Sequence, residues 1–369
     1  MNNNQIAIPQ RNVGADIIRI FAFFSVVSVH FFLRNGFYQN VVQGEKMLIM
    51  VFVRSFFIIC VPLYMLLSGY LMRNKKPTIE YYKKLGKTYL TYVLACICCL
   101  IYSTYFLKID WPIKKSVFAI LDFSAAPYAW YVEMYLGLFL IIPFINILYN
   151  NISSQNTKKA LILVLGIITA LPAVVNVYNF ESLEWWLLPS SSRTYQQILS
   201  SWWSSLYPVT YYVIGCYLSE YGLKLKKSLN ILLIFVTWAL SGAYTFWRSH
   251  NHTFIWGDWC DYESIFNVVL ATLIFVFFIN RDYSKVSDKL IKFLKTISGL
   301  CFASYLVSWI FDNYFYSILI EMVPKMTDRL PYYLIIVPIV FVCSLLLSYV
   351  ISKVQAFIEF ISKKLTKAK

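Results

Sequence analysis

Apolar residues in this chain come in long runs divided by short polar segments. Ten runs stand out, at residues 13–33, 47–72, 88–107, 128–149, 160–178, 203–221, 229–247, 263–280, 297–318 and 331–352. Each is roughly twenty residues or longer, the length an α-helix needs to cross the hydrocarbon core of a bilayer. The pattern predicts an all-α, polytopic membrane protein with about ten transmembrane helices. Most of the chain, 1–352, reads as a single membrane domain.

The segments between the runs give an orientation. With the amino terminus placed inside, the inner segments hold 22 Lys and Arg and the outer ones 9, with Arg19 and Arg54 inside runs. Basic residues gather on the cytoplasmic side of membrane proteins, so both termini are expected in the cytoplasm. The tail 353–369, KVQAFIEFISKKLTKAK, reads as a basic cytoplasmic extension, with an amphipathic helix on the inner leaflet as one form it can take. Met1 to Gln10 is polar and the first run has no small-residue cleavage site after it, so no signal peptide is expected.

Composition agrees with the pattern. Charged residues make up 14% of the chain and hydrophobic residues 59%, where a soluble domain carries about 25% charge. The net charge of +15 is explained by the inner loops, so membrane lipids rather than nucleic acid are the expected partners. Seven of eight cysteines lie in apolar runs, which argues for packing rather than a disulfide framework.

Against this apolar background the ionisable residues within runs are conspicuous, because each costs roughly 2.5–3.5 kcal/mol to insert. The first run carries Asp16, Arg19 and His30. Asp16 and Arg19 are three apart and can pair on a helix. Arg19 and His30 are eleven apart, so they face the same way, about 16 Å apart along the axis. Arg54 lies in the second run and Glu133 in the fourth, where it is expected to be buried and to pair with Arg54 or orient His30. Pro62 is a candidate kink, and Ser68-Gly69 a point of close helix packing.

Two loop features add candidate binding chemistry. The inner segment after the second run holds Arg73, Lys75, Lys76, Lys83, Lys84 and Lys87. Anchoring by positive charge explains most of it, yet Lys84 and Lys87 are one turn apart and suit a phosphorylated cytosolic ligand. The outer loops are rich in tryptophan: Trp111, Trp185, Trp186, Trp202, Trp256 and Trp259. They form either an interfacial aromatic belt or a platform for sugar rings. His250 and His252 share one outer loop but are read as solvated, and no metal is expected.

Several of these stretches resemble one family in order along the chain. Asp16-Ile-Ile-Arg19 to His30 is similar to the opening signature of the acyltransferase-3 family of integral membrane acyltransferases. VPLYMLLSGYL (61–71), WYVEMYLGLFLIIPFI (130–145), YYVIGCYLSEY (211–221) and ISGLCFASYLVSW (297–309) resemble its later helices. The resemblance implies transfer of an acyl group, usually acetyl, from cytosolic acyl-CoA to a hydroxyl, often on a cell-surface glycan. It carries Arg19 and His30 over as the functional pair; Asp16 is then expected to hold Arg19, and His30 to act as general base or transient acyl carrier. It associates a basic pair, here Lys84 and Lys87 in place of arginines, with the CoA phosphates, and Arg73 is expected to lie near them. Arg54, Trp130, Tyr131 and Glu133 are the candidate substrate-binding residues. The chain departs from the family where Tyr128-Ala129 precedes Trp130 and Ser308 follows Tyr305-Leu306-Val307, positions where many relatives have histidine. The acyl donor expected is acetyl-CoA, and the acceptor a glycan or lipid-linked saccharide. The rival reading is a transporter or flippase for lipid-linked glycans, which shares the spans and the aromatic loops but needs no acyl-CoA.

Overall fold

The computed structural model describes residues 12–367. The polar leader Met1–Gln10 and the last two residues of the tail lie outside the described residues. The described residues are mostly helical: α1 (Val13–Arg34), α2 (Gly44–Phe57), α3 (Cys60–Met72), α4 (Ile79–Tyr105), α5 (Ile113–Leu121), α6 (Trp130–Asn151), α7 (Gln155–Thr169), α8 (Pro172–Val175), α9 (Leu183–Leu187), α10 (Tyr207–Tyr221), α11 (Lys227–Ser249), α12 (Ile265–Ile279), α13 (Asp288–Met322) and α14 (Tyr333–Lys367). Among the described residues no strand forms, and two isolated bridges tie Val41 to Thr253 and Val42 to His250.

Nine spans among the described residues are long and apolar enough to cross a membrane. The sixth expected run, 203–221, is not among them: its helix is α10, only 15 residues long. The protein is an all-α, polytopic membrane protein.

Local chemistry explains where the runs break. The second run is two helices, parted at Ile58 and Ile59. Pro62 has no N–H for the carbonyl of Ile58, so the ladder is interrupted there. The fifth run ends its main helix at Thr169, and Pro172 starts a separate turn. The third run begins earlier than its apolar stretch. Thr78 caps α4 by accepting from the Tyr81 N–H, which places Lys83, Lys84 and Lys87 on a helix rather than in a loop.

The core is built around α1, which packs against α2, α3, α12, α13 and α14. The closest crossing joins α3 to α10. A Cβ on Gly69 would fall inside contact distance of the Tyr212 carbonyl oxygen, and one on Gly215 would do the same to the Leu66 carbonyl. Small residues let these backbones touch, as the Ser68-Gly69 pair suggested.

One end of the bundle gathers the start of α1, the start of α4 and the tail. Ser298 on α13 donates to Asp16, and Gln355 of the tail donates to the Lys87 carbonyl. The tail is therefore no separate element. It continues α14 as one helix and lies against α4, with Lys87 3.4 Å from Glu359.

Candidate functional site

The start of α1 is fixed by a short chain of polar contacts. Asn12 caps the helix, accepting from the Ala15 N–H. Asp16 sits in the first turn, where the helix dipole favours an acid. Arg19 Nη1 lies 3.5 Å from Asp16 Oδ1 and donates to Ser298 Oγ at 2.6 Å. Ser298 in turn donates to Asp16 at 2.7 Å. The expected Asp16–Arg19 pair is present and is closed through α13.

Arg19 also lines a cavity of about 370 Å³ at the end of the bundle where α1 starts, named the inner cavity after the side the charge pattern predicts for it. Its wall is largely apolar and aromatic, with Leu67, Leu71, Tyr64, Tyr131, Tyr135 and Phe302. Its polar groups are Arg19, Ser68, Lys87, Thr88 and Thr91. The Lys87 side chain is 70% exposed at the rim.

A second cavity, about 580 Å³, lies toward the opposite end and is named the outer cavity on the same expectation. It holds His30 and Arg34 among the aromatic rings of Tyr38, Tyr128, Trp130, Trp256, Tyr262 and Tyr305. The two cavities share three lining residues, Val26, Val61 and Tyr305. Val26 is one turn before His30 on the same face of α1.

His30 is held from two sides. Its Nδ1 is 3.0 Å from Asp312 Oδ2, and its ring packs on Tyr128 with centroids 3.9 Å apart. Tyr128 donates to the same Asp312 oxygen at 2.7 Å and accepts from Arg34 Nε at 2.8 Å. Asp312 is fully buried, and its Oδ1 has no partner. With Asp312 as a carboxylate, Nδ1 carries the proton and Nε2 the lone pair. His30 Nε2 makes no hydrogen bond within the described protein, and the residue lines the cavity. An orienting acid, an imidazole and a cavity on the basic nitrogen's side suit proton abstraction from a hydroxyl or nucleophilic attack.

Sequence reasoning passed over Asp312, although an acid inside an apolar run is a functional signal in itself. It noted Tyr128 only as a departure from the family, and it counted Arg34 only as a loop charge. All three belong to the His30 network.

The other expected site residues divide by place. Tyr131 joins Arg19 and Lys87 at the inner cavity, and Trp130 joins His30 at the outer one. Lys84 is exposed on α4 and lines neither. Arg73 is engaged at 3.0 Å by Glu220, which also takes Lys158, so its charge is already met inside the protein. The expectation for Glu133 is corrected. It is exposed in the first turn of α6, where the helix dipole favours an acid, and it pairs with neither Arg54 nor His30.

Arg54 is fully buried behind the outer cavity. It donates to Tyr38 Oη at 2.8 Å and to the Cys260 carbonyl at 3.2 Å. Its guanidinium lies 4.8 Å from the Phe254 ring centre and 4.6 Å from that of Trp256. Tyr38 and Trp256 line the cavity while Arg54 does not, so Arg54 supports the wall from behind. Burial pushes the Tyr38 phenol up, against the opposing charge of Arg54, so Tyr38 presents a neutral hydroxyl.

Arg248 forms a second such box. It is fully buried, donates to the Val177 carbonyl and to Tyr195, and lies 4.1 Å from the Trp259 ring centre and 4.9 Å from that of Trp185. Trp185 and Trp259 are therefore internal, neither belt nor platform. Of the loop tryptophans, Trp256 alone lines the outer cavity.

A family model for the acyltransferase-3 group, described as "Acyltransferase domain", matches residues 12–351. No curated protein and no solved structure matches. The match spans nearly the whole chain, from the Asp16–Arg19 end of α1 through the Asp312 helix and into α14. With that match, this chain belongs to the acyltransferase-3 family and is a membrane acyltransferase.

Proposed function

We propose that this protein moves an acetyl group from cytosolic acetyl-CoA to a hydroxyl of a cell-surface or lipid-linked glycan, working in the plasma membrane. One observation carries the reading: His30 lines a cavity toward one end of the bundle, one helical turn from where that cavity meets a second one toward the other end.

The inner cavity suits an extended thioester carrier. It is lined by apolar and aromatic side chains, has Lys87 at its rim for a phosphate, and runs beside α1 from Arg19. The eleven residues from Arg19 to His30 cover about 16 Å, on the order of the pantetheine arm. The outer cavity suits a sugar, with Trp130, Trp256 and Tyr262 as flat apolar faces and Tyr38 as a neutral hydroxyl.

His30 Nε2 would accept the proton of the acceptor hydroxyl as its oxygen attacks the thioester carbonyl. The C–S bond then breaks, and the proton passes to the departing thiolate. The alternative order places the acetyl on Nε2 first and then on the hydroxyl. Both need Asp312 to hold Nδ1 protonated.

The test is purified protein in lipid with acetyl-CoA and envelope glycan, read as free CoA and acetyl ester. Turnover lost in His30→Ala supports the reading. No turnover in the parent protein, together with full biological activity of His30→Ala, favours the flippase. Acetyl retained on the protein when acceptor is withheld separates the two orders.

A further inference from the structure

Arg34 is a partly buried arginine with both Nη groups left open beside a cavity. Arg19 and Arg73 have carboxylate partners through Nη1, in Asp16 and Glu220, while Arg248 bonds Val177 and Tyr195, and Arg329 the carbonyls of Asn35, Val323 and Pro324. Arg54 is sealed in its aromatic box. Arg34 spends only its Nε, on Tyr128 at 2.8 Å, and no carboxylate pairs with it. Its two Nη groups make no hydrogen bond among the described residues, and Arg34 lines the outer cavity.

Its position is set rather than free. Arg34 is four residues after His30, on the same face of α1. The Nε bond and the Tyr128 ring, 5.3 Å from the guanidinium carbon, hold its plane. An arginine fixed through Nε presents its Nη pair as a fork, the geometry that takes two oxygens of a carboxylate or phosphate. The acid lining this cavity, Asp261, accepts from the Tyr262 N–H.

We propose that Arg34 makes the acceptor site selective for an anionic saccharide, holding a carboxylate or phosphate on the acceptor while His30, one turn deeper, faces its hydroxyl. This rests on the acceptor side of the proposed function and is independent of the acyl donor. The two sources of the anion share one chemistry, a pair of negatively charged oxygens.

The experiment therefore uses no acyl-CoA. Binding of glucuronate, glucose 6-phosphate and glucose to the full chain in nanodiscs is followed by tryptophan fluorescence. The expected result is that at least one anionic sugar binds about ten-fold or more tightly than glucose, and that Arg34→Gln removes the difference while Arg34→Lys restores part of it. Preference for glucuronate assigns the carboxylate; preference for glucose 6-phosphate assigns the phosphate. Equal binding of all three sugars, no binding of either anion, or an anion preference that survives in Arg34→Gln overturns the proposal. Anion binding that depends on Arg34, found together with no turnover in the separate acetyl-CoA assay given above, would count against the donor reading and support this one.

Discussion

Asp312 Oδ2 and His30 Nδ1 stand 3.0 Å apart, joined across 282 residues of chain by the packing of α13 on α1. The contact decides which imidazole nitrogen is left for chemistry. Asp312→Asn keeps the size of the side chain but no longer requires Nδ1 to be the protonated atom. Acyl transfer is expected to fall by on the order of 10²–10⁴-fold, with the donor KM little changed. Steady-state kinetics of the variant test this; unchanged kcat would reduce the pair to a packing contact.

The basic residues at the start of α4 are expected to differ from one another. Lys87 lines the inner cavity and Lys84 does not. Lys87→Ala should raise the KM for acyl-CoA several-fold, the loss of about one charge-assisted contact, while Lys84→Ala should change it less than about two-fold. Titration of acyl-CoA against each variant separates them, and equal KM values would assign Lys87 to topology.

Arg54 should report on stability. Its Nε and Nη1 bonds and two flanking rings are all lost or weakened in Arg54→Lys, which cannot reproduce the planar fork. A loss of about 1–3 kcal/mol is expected. Thermal unfolding in detergent measures it. A variant that melts like the parent but binds acceptor poorly would return Arg54 to the substrate-binding role its sequence position suggested.

The α3–α10 crossing gives a steric prediction. Gly69→Ala places a methyl group against the Tyr212 carbonyl, and no flexible side chain is there to yield. The helices must part, so most of the protein should leave the monodisperse peak in size-exclusion chromatography. Gly137→Ala, at a glycine with open space around it, is the matched control and should behave as the parent does.

The frame was legible because hydrocarbon imposes it: runs of apolar residues have few ways to fold in a bilayer. Pro62 and Ser68-Gly69 could be read because their effects are local. The first-helix pair Asp16 and Arg19 could be read because its members are three residues apart. Asp312 could not be assigned to His30, since nothing in a helical period says which distant span supplies a partner. Glu133 was misread for a related reason: span boundaries blur by a few residues, and the error moved an exposed first-turn acid into the interior. Arg248 looked like a loop cation and is buried among rings contributed by four separate positions, Trp185, Tyr195, Tyr244 and Trp259.

Where the inner and outer cavities meet, Val26, Val61 and Tyr305 line both. Tyr305 is tied in place by its hydroxyl, which donates to the Tyr128 carbonyl, and the two valines are almost wholly covered. His30 itself lines the outer cavity, so of the two cavities only the inner one has this layer between it and the imidazole. On the proposed reaction an acyl group held in the inner cavity would meet His30 past these three side chains, so their size would set how closely the two can approach.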